Sequence, residues 1–260
     1  METIALQAGW PLATLVLGLG ATGVALLVQP WLTRRRHRQL RTLPFPRAWA
    51  RILQRRVPLA QRLPAPLRRR LLGLIQVFIA DKPFIGCAGL QVDDEMRVTI
   101  AAQACLLLLG QSGEACYPRL RQVLVYPEPF VVPRRQLLPG GVVSEQLQAL
   151  AGAAEPADGR NVVLHEFAHQ IDQDSGDADG RPWQRDEAAR QRWAAVVDEG
   201  LARLRESPSE ALDAYGSTDP AEYFAVATEA FFERAQALRE AAPPLYEELA
   251  RLYRLNPAAW

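Results

Sequence analysis

Cysteine and histidine are both scarce, with three of each in 260 residues. Cys87, Cys105 and Cys116 form no Cys-x-x-Cys pair, which excludes a disulfide framework and a cysteine zinc knuckle. They read as small apolar residues of a reducing compartment. Net charge is nearly absent too, at +1 near neutral pH. That balance, with no basic stripe interleaved by aromatics, argues against direct nucleic-acid binding. No internal repeat and no low-complexity segment is visible. Between Thr3 and Thr33 there is no charged side chain at all.

That uncharged stretch sets the first expectation. About 20 apolar residues suffice to cross a bilayer as a helix. Trp10 and Trp31 stand where interfacial anchors would be. The basic cluster Arg34-Arg-Arg-His-Arg-Gln-Leu-Arg41 follows the apolar stretch, whereas a cleavable signal peptide would place positive charge before it. The expectation is one N-terminal transmembrane helix over residues 1–33, contacting lipid through 8–32, then a basic juxtamembrane linker at 34–44. Positive charge kept inside would put the remaining chain in the cytoplasm, at the inner (cytoplasmic) membrane. A wholly cytoplasmic protein, with that stretch as an arm on the domain, is the alternative.

What is present in quantity is apolar side chain, at 49%, enough for one sizeable core. Leu43-Pro-Phe-Pro46 marks the start of a domain expected to run over 45–260. Helical patterning covers about 48–56 and 66–80. A bent strand is expected over 84–92. Asp93 and Asp94 would cap a buried helix ending before Gly110. Gln122 to Tyr126 and Phe130 to Val132 are short β-type runs, and Val142-Val143 is a weaker one. From Asn161 onward the pattern is helical over about 161–173, 184–206, 219–234 and 243–255, with Asp219-Pro220 as a clear helix start. The fold class is therefore α+β, mainly helical, with a small sheet ahead of the helix at 161–173.

Two of the three histidines lie in Leu164-His165-Glu166-Phe-Ala-His169, an H-E-x-x-H pattern. On a helix, residues four apart share a face, so both imidazoles aim at one point. Neutral imidazole suits zinc, and a catalytic site takes three protein ligands and leaves one position for water. Glu166 is placed to act as general base. After His169 the chain reads Gln-Ile-Asp-Gln-Asp-Ser-Gly, which removes the three-histidine class. Asp172, Asp174, Asp177, Glu222 and Glu229 are the downstream carboxylates weighed for the third ligand. Asp172 lies too close along the chain, and reads as an imidazole partner or a helix-end surface acid. Glu222, in the first turn of a separate helix, fits better. Glu229 lies two turns further along, and reads as a supporting or structural acid.

Three stretches carry a family resemblance: Asp94 to Leu109, Asn161 to Asp172, and Tyr215-Gly-Ser-Thr-Asp-Pro-Ala-Glu222 running on to Phe232. They resemble the Mlc titration factor A family of zinc peptidases over about residues 45–257. The tyrosine-to-glutamate spacing is also similar to that of the anthrax lethal factor catalytic domain, in the Glu-zincin class. The resemblance implies a zincin-like metallopeptidase domain holding one Zn2+ per chain. It implies His165, His169 and Glu222 as metal ligands, Glu166 as general base, and Tyr215 as the donor that steadies the oxyanion. It further implies aminopeptidase-type cleavage of a peptide substrate, and a transcriptional repressor of sugar-uptake genes as a partner. A zinc-stabilised, repressor-sequestering protein with little peptidase activity is the alternative. Between Val132 and Ala151 the chain is shorter than the resemblance leads one to expect.

Overall fold

The computed structural model describes residues 14, 28–113, 116–127, 146–150 (backbone only), 161–174, 176 and 178–260. It divides into two compact units, Met1–Leu43 and Pro44–Trp260.

In the first unit, residues 28–42 are helical. Most of the transmembrane expectation (8–32) falls outside the described residues. Among the described residues, no helix is long and apolar enough to cross a membrane. The helical part that is described carries Arg34, Arg35, Arg36, Arg38 and Arg41, and guanidinium groups at that density are costly in hydrocarbon. The fold class is corrected accordingly. The chain is a mainly helical α+β protein, and neither a membrane-spanning helix nor the inner-membrane location inferred from it is retained.

The second unit begins with α1 (Arg47–Arg56), the one-turn α2 (Leu59–Arg62) and α3 (Ala65–Asp81). Strand β1 (Phe84–Gly86) follows, then α4 (Asp94–Leu106), β2 (Gln122–Tyr126) and β3 (Gln146–Leu150). The zinc-motif helix is α5 (Val162–Gln173), and α6 (Glu187–Glu206) comes next. A 3-10 turn (Ala214–Ser217) leads into α7 (Pro220–Glu233), then α8 (Ala235–Ala241) and α9 (Pro243–Tyr253). Runs 130–132 and 142–143, and the shortened segment, lie outside the described residues apart from β3 itself.

The sheet is parallel throughout, in the order β1-β2-β3, with Phe84 opposite Val123 and Gln122 opposite Gln146. β1 is shorter than expected because the chain reverses after it. Ala88 and Gly89 both have positive φ, and the Leu90 N–H donates to the Cys87 carbonyl. α4 opens where expected, with the Asp93 side chain accepting from the Met96 N–H. Its last turn tightens into i→i+3 bonds at Leu108 and Leu109. Gly110 then lies so close to the Tyr253 carbonyl that any Cβ would collide with it.

α7 is the axis of the core. Every residue from Ala221 to Phe232 is buried, which marks a helix enclosed on all sides rather than one with a wet face. α5 packs along it and also contacts β3 and α4. An aromatic cluster of Phe78, Tyr117 and Phe167 seats α5 from below, with Tyr117 and Phe167 centroids 4.8 Å apart. On the other side, Phe231 and Phe232 pack on Tyr253. Phe167 thus anchors α5 in one aromatic cluster, and Tyr253 of α9 anchors α7 in another.

Candidate metal centre

Both helices that carry the site start on side-chain caps. Asn161 accepts from the N–H groups of Val163 and Leu164 at the start of α5. Asp219 accepts from the Glu222 N–H at 2.9 Å, with Pro220 at the first helical position of α7. Such caps hold the first turn rigid, and Glu222 lies in that first turn.

A buried helix tolerates acids only where they are partnered. α7 buries two, Glu222 (3% exposed) and Glu229 (6% exposed). Both reach the same imidazole from opposite sides. His165 Nε2 is 2.8 Å from Glu222 Oε2, and His165 Nδ1 is 2.7 Å from Glu229 Oε1. The His165 ring spans the two helical turns that separate the acids. His169 Nε2 lies 3.1 Å from His165 Nε2 and 3.4 Å from Glu222 Oε2. Glu229 also accepts the Asn161 backbone N–H.

Two imidazole nitrogens and one carboxylate oxygen thus converge, and His165, His169 and Glu222 together form a group able to hold a metal ion. Ligands about 2.0–2.1 Å from a tetrahedral zinc sit ~3.3 Å from one another. The three separations of 2.8, 3.1 and 3.4 Å bracket that value. The donor set also suits zinc. With Nδ1 engaged by Glu229, His165 presents Nε2 to the convergence point, the usual way a supporting carboxylate orients a ligand.

The electrostatics follow from the same contacts. Burial works to lower the His165 pKa, but the hydrogen bonds it donates to Glu222 and Glu229 outweigh it and raise it to about 9. Burial would raise the Glu222 carboxyl, yet the two histidines hold it well below the ordinary carboxylate range. Glu229 is raised by its burial, against the pull of His165 and the Asn161 N–H. Without metal the cluster therefore stores a proton on His165, which a metal ion must displace.

Glu166 is half-buried on α5, next to His165. Tyr215 sits in the 3-10 turn, its N–H accepted by Asp213. Its hydroxyl donates to Glu222 Oε1 at 3.3 Å, its ring lies 6.0 Å from the His165 ring, and it is 56% exposed. It occupies the open rim of the centre.

Asp172 is not the surface acid that one sequence reading allowed. It is wholly buried, and its Oδ2 accepts the Gly180 N–H at 2.6 Å. The Gly180 carbonyl in turn accepts from Trp193 Nε1 at 2.8 Å. Gly180 has φ +76°, and a Cβ there would strike the Pro220 carbonyl. This knot ties the end of α5 to the start of α7, the two elements that must keep register at the centre. Asp172, Gly180 and Asn161 carry no sequence signal for these roles beyond the cap propensity of asparagine.

Two histidines four apart on one helix and a glutamate on a second form a group able to hold a metal ion, the arrangement a metallopeptidase needs. The chain belongs to the family described as glucose-regulated metallo-peptidase M90, which matches residues 31–159 and 148–254. An uncharacterized protein of Synechocystis sp. (strain ATCC 27184 / PCC 6803 / Kazusa) is 37% identical over 245 residues, covering 85% of this chain and 89% of the relative. Mlc titration factor A of Salmonella gallinarum is 29% identical over 227 residues, covering 78% of this chain and 84% of the relative. The protein of that name from Salmonella arizonae is likewise 29% identical, over 89% of its length.

Proposed function

We propose that the chain is a zinc-dependent peptidase of aminopeptidase type, holding one Zn2+ through His165, His169 and Glu222. The convergence of His165 Nε2, His169 Nε2 and Glu222 Oε2 at zinc-like separations carries this reading. When bound, zinc polarises a carbonyl oxygen and lowers the pKa of water to about 7. Glu166 takes the proton from the attacking water and passes it to the leaving amine, general acid–base work of about 10² to 10⁴-fold. The Tyr215 hydroxyl, at the rim beside Glu222, donates to the oxyanion as the carbonyl becomes tetrahedral. Glu229 keeps His165 in the tautomer that offers Nε2. The substrate backbone lies along β3, the strand in contact with α5, by strand addition.

The test has two parts. Purified protein should contain about one zinc per chain, lost in His165→Ala. Glu166→Gln should keep the zinc and lose cleavage of aminoacyl reporters; undiminished cleavage would remove Glu166 from its role.

The name of the Salmonella relatives, Mlc titration factor A, supports a second reading. In it the chain also binds a transcriptional repressor of sugar-uptake genes, and zinc serves mainly to stabilise the fold. Repressor capture that survives in Glu166→Gln would separate binding from hydrolysis.

A further inference from the structure

Behind the metal centre, at the N-terminus of α5, is a half-enclosed cavity of about 50 Å³. By the volume a single buried water needs, it admits roughly four water-sized groups. Its walls are apolar where Val57, Leu106, Leu164 and Phe232 meet, all of them buried. Gln103 also lines it, 4% exposed, and its Oε1 has no hydrogen-bond partner among the described residues. A buried carbonyl oxygen in that condition calls for a donor. At the mouth stand Arg56 and Arg62, both exposed. Arg56 is engaged through Nε by Glu95, and no ion pair with a described residue engages Arg62. The facing Glu233 is occupied by Asn161 Nδ2 at 2.7 Å.

Acceptor at the floor, carbon walls and guanidinium groups at the mouth specify one class of ligand. We propose that this cavity binds a small hydroxylated organic anion, and that its occupation is coupled to the metal centre. The hydroxyl donates to Gln103 Oε1, a short carbon chain fills the waist, and the carboxylate or phosphate meets Arg62 and Arg56. The cavity touches the metal centre through Asn161, which also lines it. The Asn161 backbone N–H donates to Glu229, and Glu229 holds His165 Nδ1 at 2.7 Å. Leu164, another wall residue, immediately precedes His165. A ligand that presses on Asn161 and Leu164 therefore bears on the orientation of a metal ligand, and by linkage zinc must change the affinity for the anion by the same factor.

The test uses the full chain, metal-free and zinc-loaded, and needs no peptide cleavage, so it stands or falls separately from the peptidase reading. Calorimetry with 4-hydroxybutyrate and with glycerol 3-phosphate distinguishes the carboxylate source from the phosphate source. Butyrate lacks the hydroxyl, and 1,4-butanediol lacks the charge. At least one hydroxylated anion should bind saturably at one per chain, at least tenfold tighter than its comparators. Gln103→Leu should abolish that preference over butyrate. Arg62→Ala, at an exposed position that cannot disturb the core, should weaken the anion several-fold. Zinc affinity should shift by more than twofold when the anion is saturating. Saturable binding by neither anion, or undiminished binding in Arg62→Ala, overturns the site. Unchanged zinc affinity overturns the coupling.

Discussion

α5 and α7 face each other across the metal centre and build it by opposite means. α5 contributes two histidines one turn apart, so their convergence is a local property of helix geometry. α7 contributes two acids two turns apart, about 10.5 Å along its axis, which would ordinarily serve different places. They serve one because the His165 ring lies between them, with Nε2 on Glu222 and Nδ1 on Glu229. The lesson is about who depends on whom. The histidines of α5 are placed by their own helix, whereas the acids of α7 acquire meaning only once α5 is docked.

Substitutions on the two helices should break this relation in different ways. The largest effect belongs to α5, where Glu166→Gln should cut peptide cleavage by about 10² to 10⁴-fold while zinc content stays unchanged. Steady-state kinetics with parallel metal analysis would check it, and a parallel fall in zinc would mean that Glu166 supports the site instead.

Next comes pH. In the metal-free protein His165 is raised to about 9 from the ordinary 6.5. Its contribution to stability is therefore complete below 6.5 and disappears as pH rises through about 9. Glu222, held low by the histidines, contributes above the ordinary 4.5, and that part is lost only as acid titrates it below that value. Zinc competes with the His165 proton, so its affinity runs the other way, rising by about 50-fold between pH 7 and pH 9. Chelator-buffered zinc titrations should show this slope, while the melting temperature of chelated protein falls over the same interval. A flat affinity would mean that His165 is already neutral at pH 7.

Glu229→Gln sharpens the comparison from the α7 side. It keeps the size of the side chain and removes its charge, so zinc affinity should drop by about 10 to 100-fold, as for other partners of metal-bound histidine. The pH dependence should weaken with it, because the His165 pKa then falls. A variant with wild-type zinc affinity and pH slope would reduce Glu229 to packing. Gly180→Ala comes after these. It asks an L-residue to adopt φ +76° and to press a methyl on the Pro220 carbonyl, at a cost of about 2 kcal/mol. Thermal denaturation would read the loss, and zinc should recover part of it by mass action.

These contrasts also explain what could be read before the fold was known. The α5 histidines, the Asp219-Pro220 start and most helix spans were legible because each rests on spacing within one segment. β3 was missed because Gln146-Leu-Gln-Ala-Leu150 has no β-branched residue and two glutamines; it is a strand because β2 offers it a parallel partner. The early end of β1 at Gly86 follows from a reversal at Ala88 and Gly89, where only the glycine signals a turn. Asp172 reads from sequence as an imidazole partner or a surface acid, because nothing local marks the Gly180 N–H that meets it. The uncharged residues ahead of Arg34 suggested a bilayer span from composition alone. The helix described at 28–42 is rich in arginine, and no described helix qualifies as a span.

The smallest effect expected is at Asp219, and it separates placement from chemistry. The Asp219 side chain accepts the Glu222 N–H at 2.9 Å and holds the first turn of α7. Asp219→Ala should cost about 1 kcal/mol of stability, read as a small drop in melting temperature. Because Glu222 sits in that first turn, fraying should also weaken zinc, by a few-fold rather than by the factor expected at Glu229. Asp219→Asn, an equally good cap without the charge, should restore both. If Asn restores stability but not zinc affinity, the negative charge near the ion matters rather than the cap. If both variants bind zinc as the parent does, α7 is held in place by its buried flanks and by the Asp172–Gly180 knot alone.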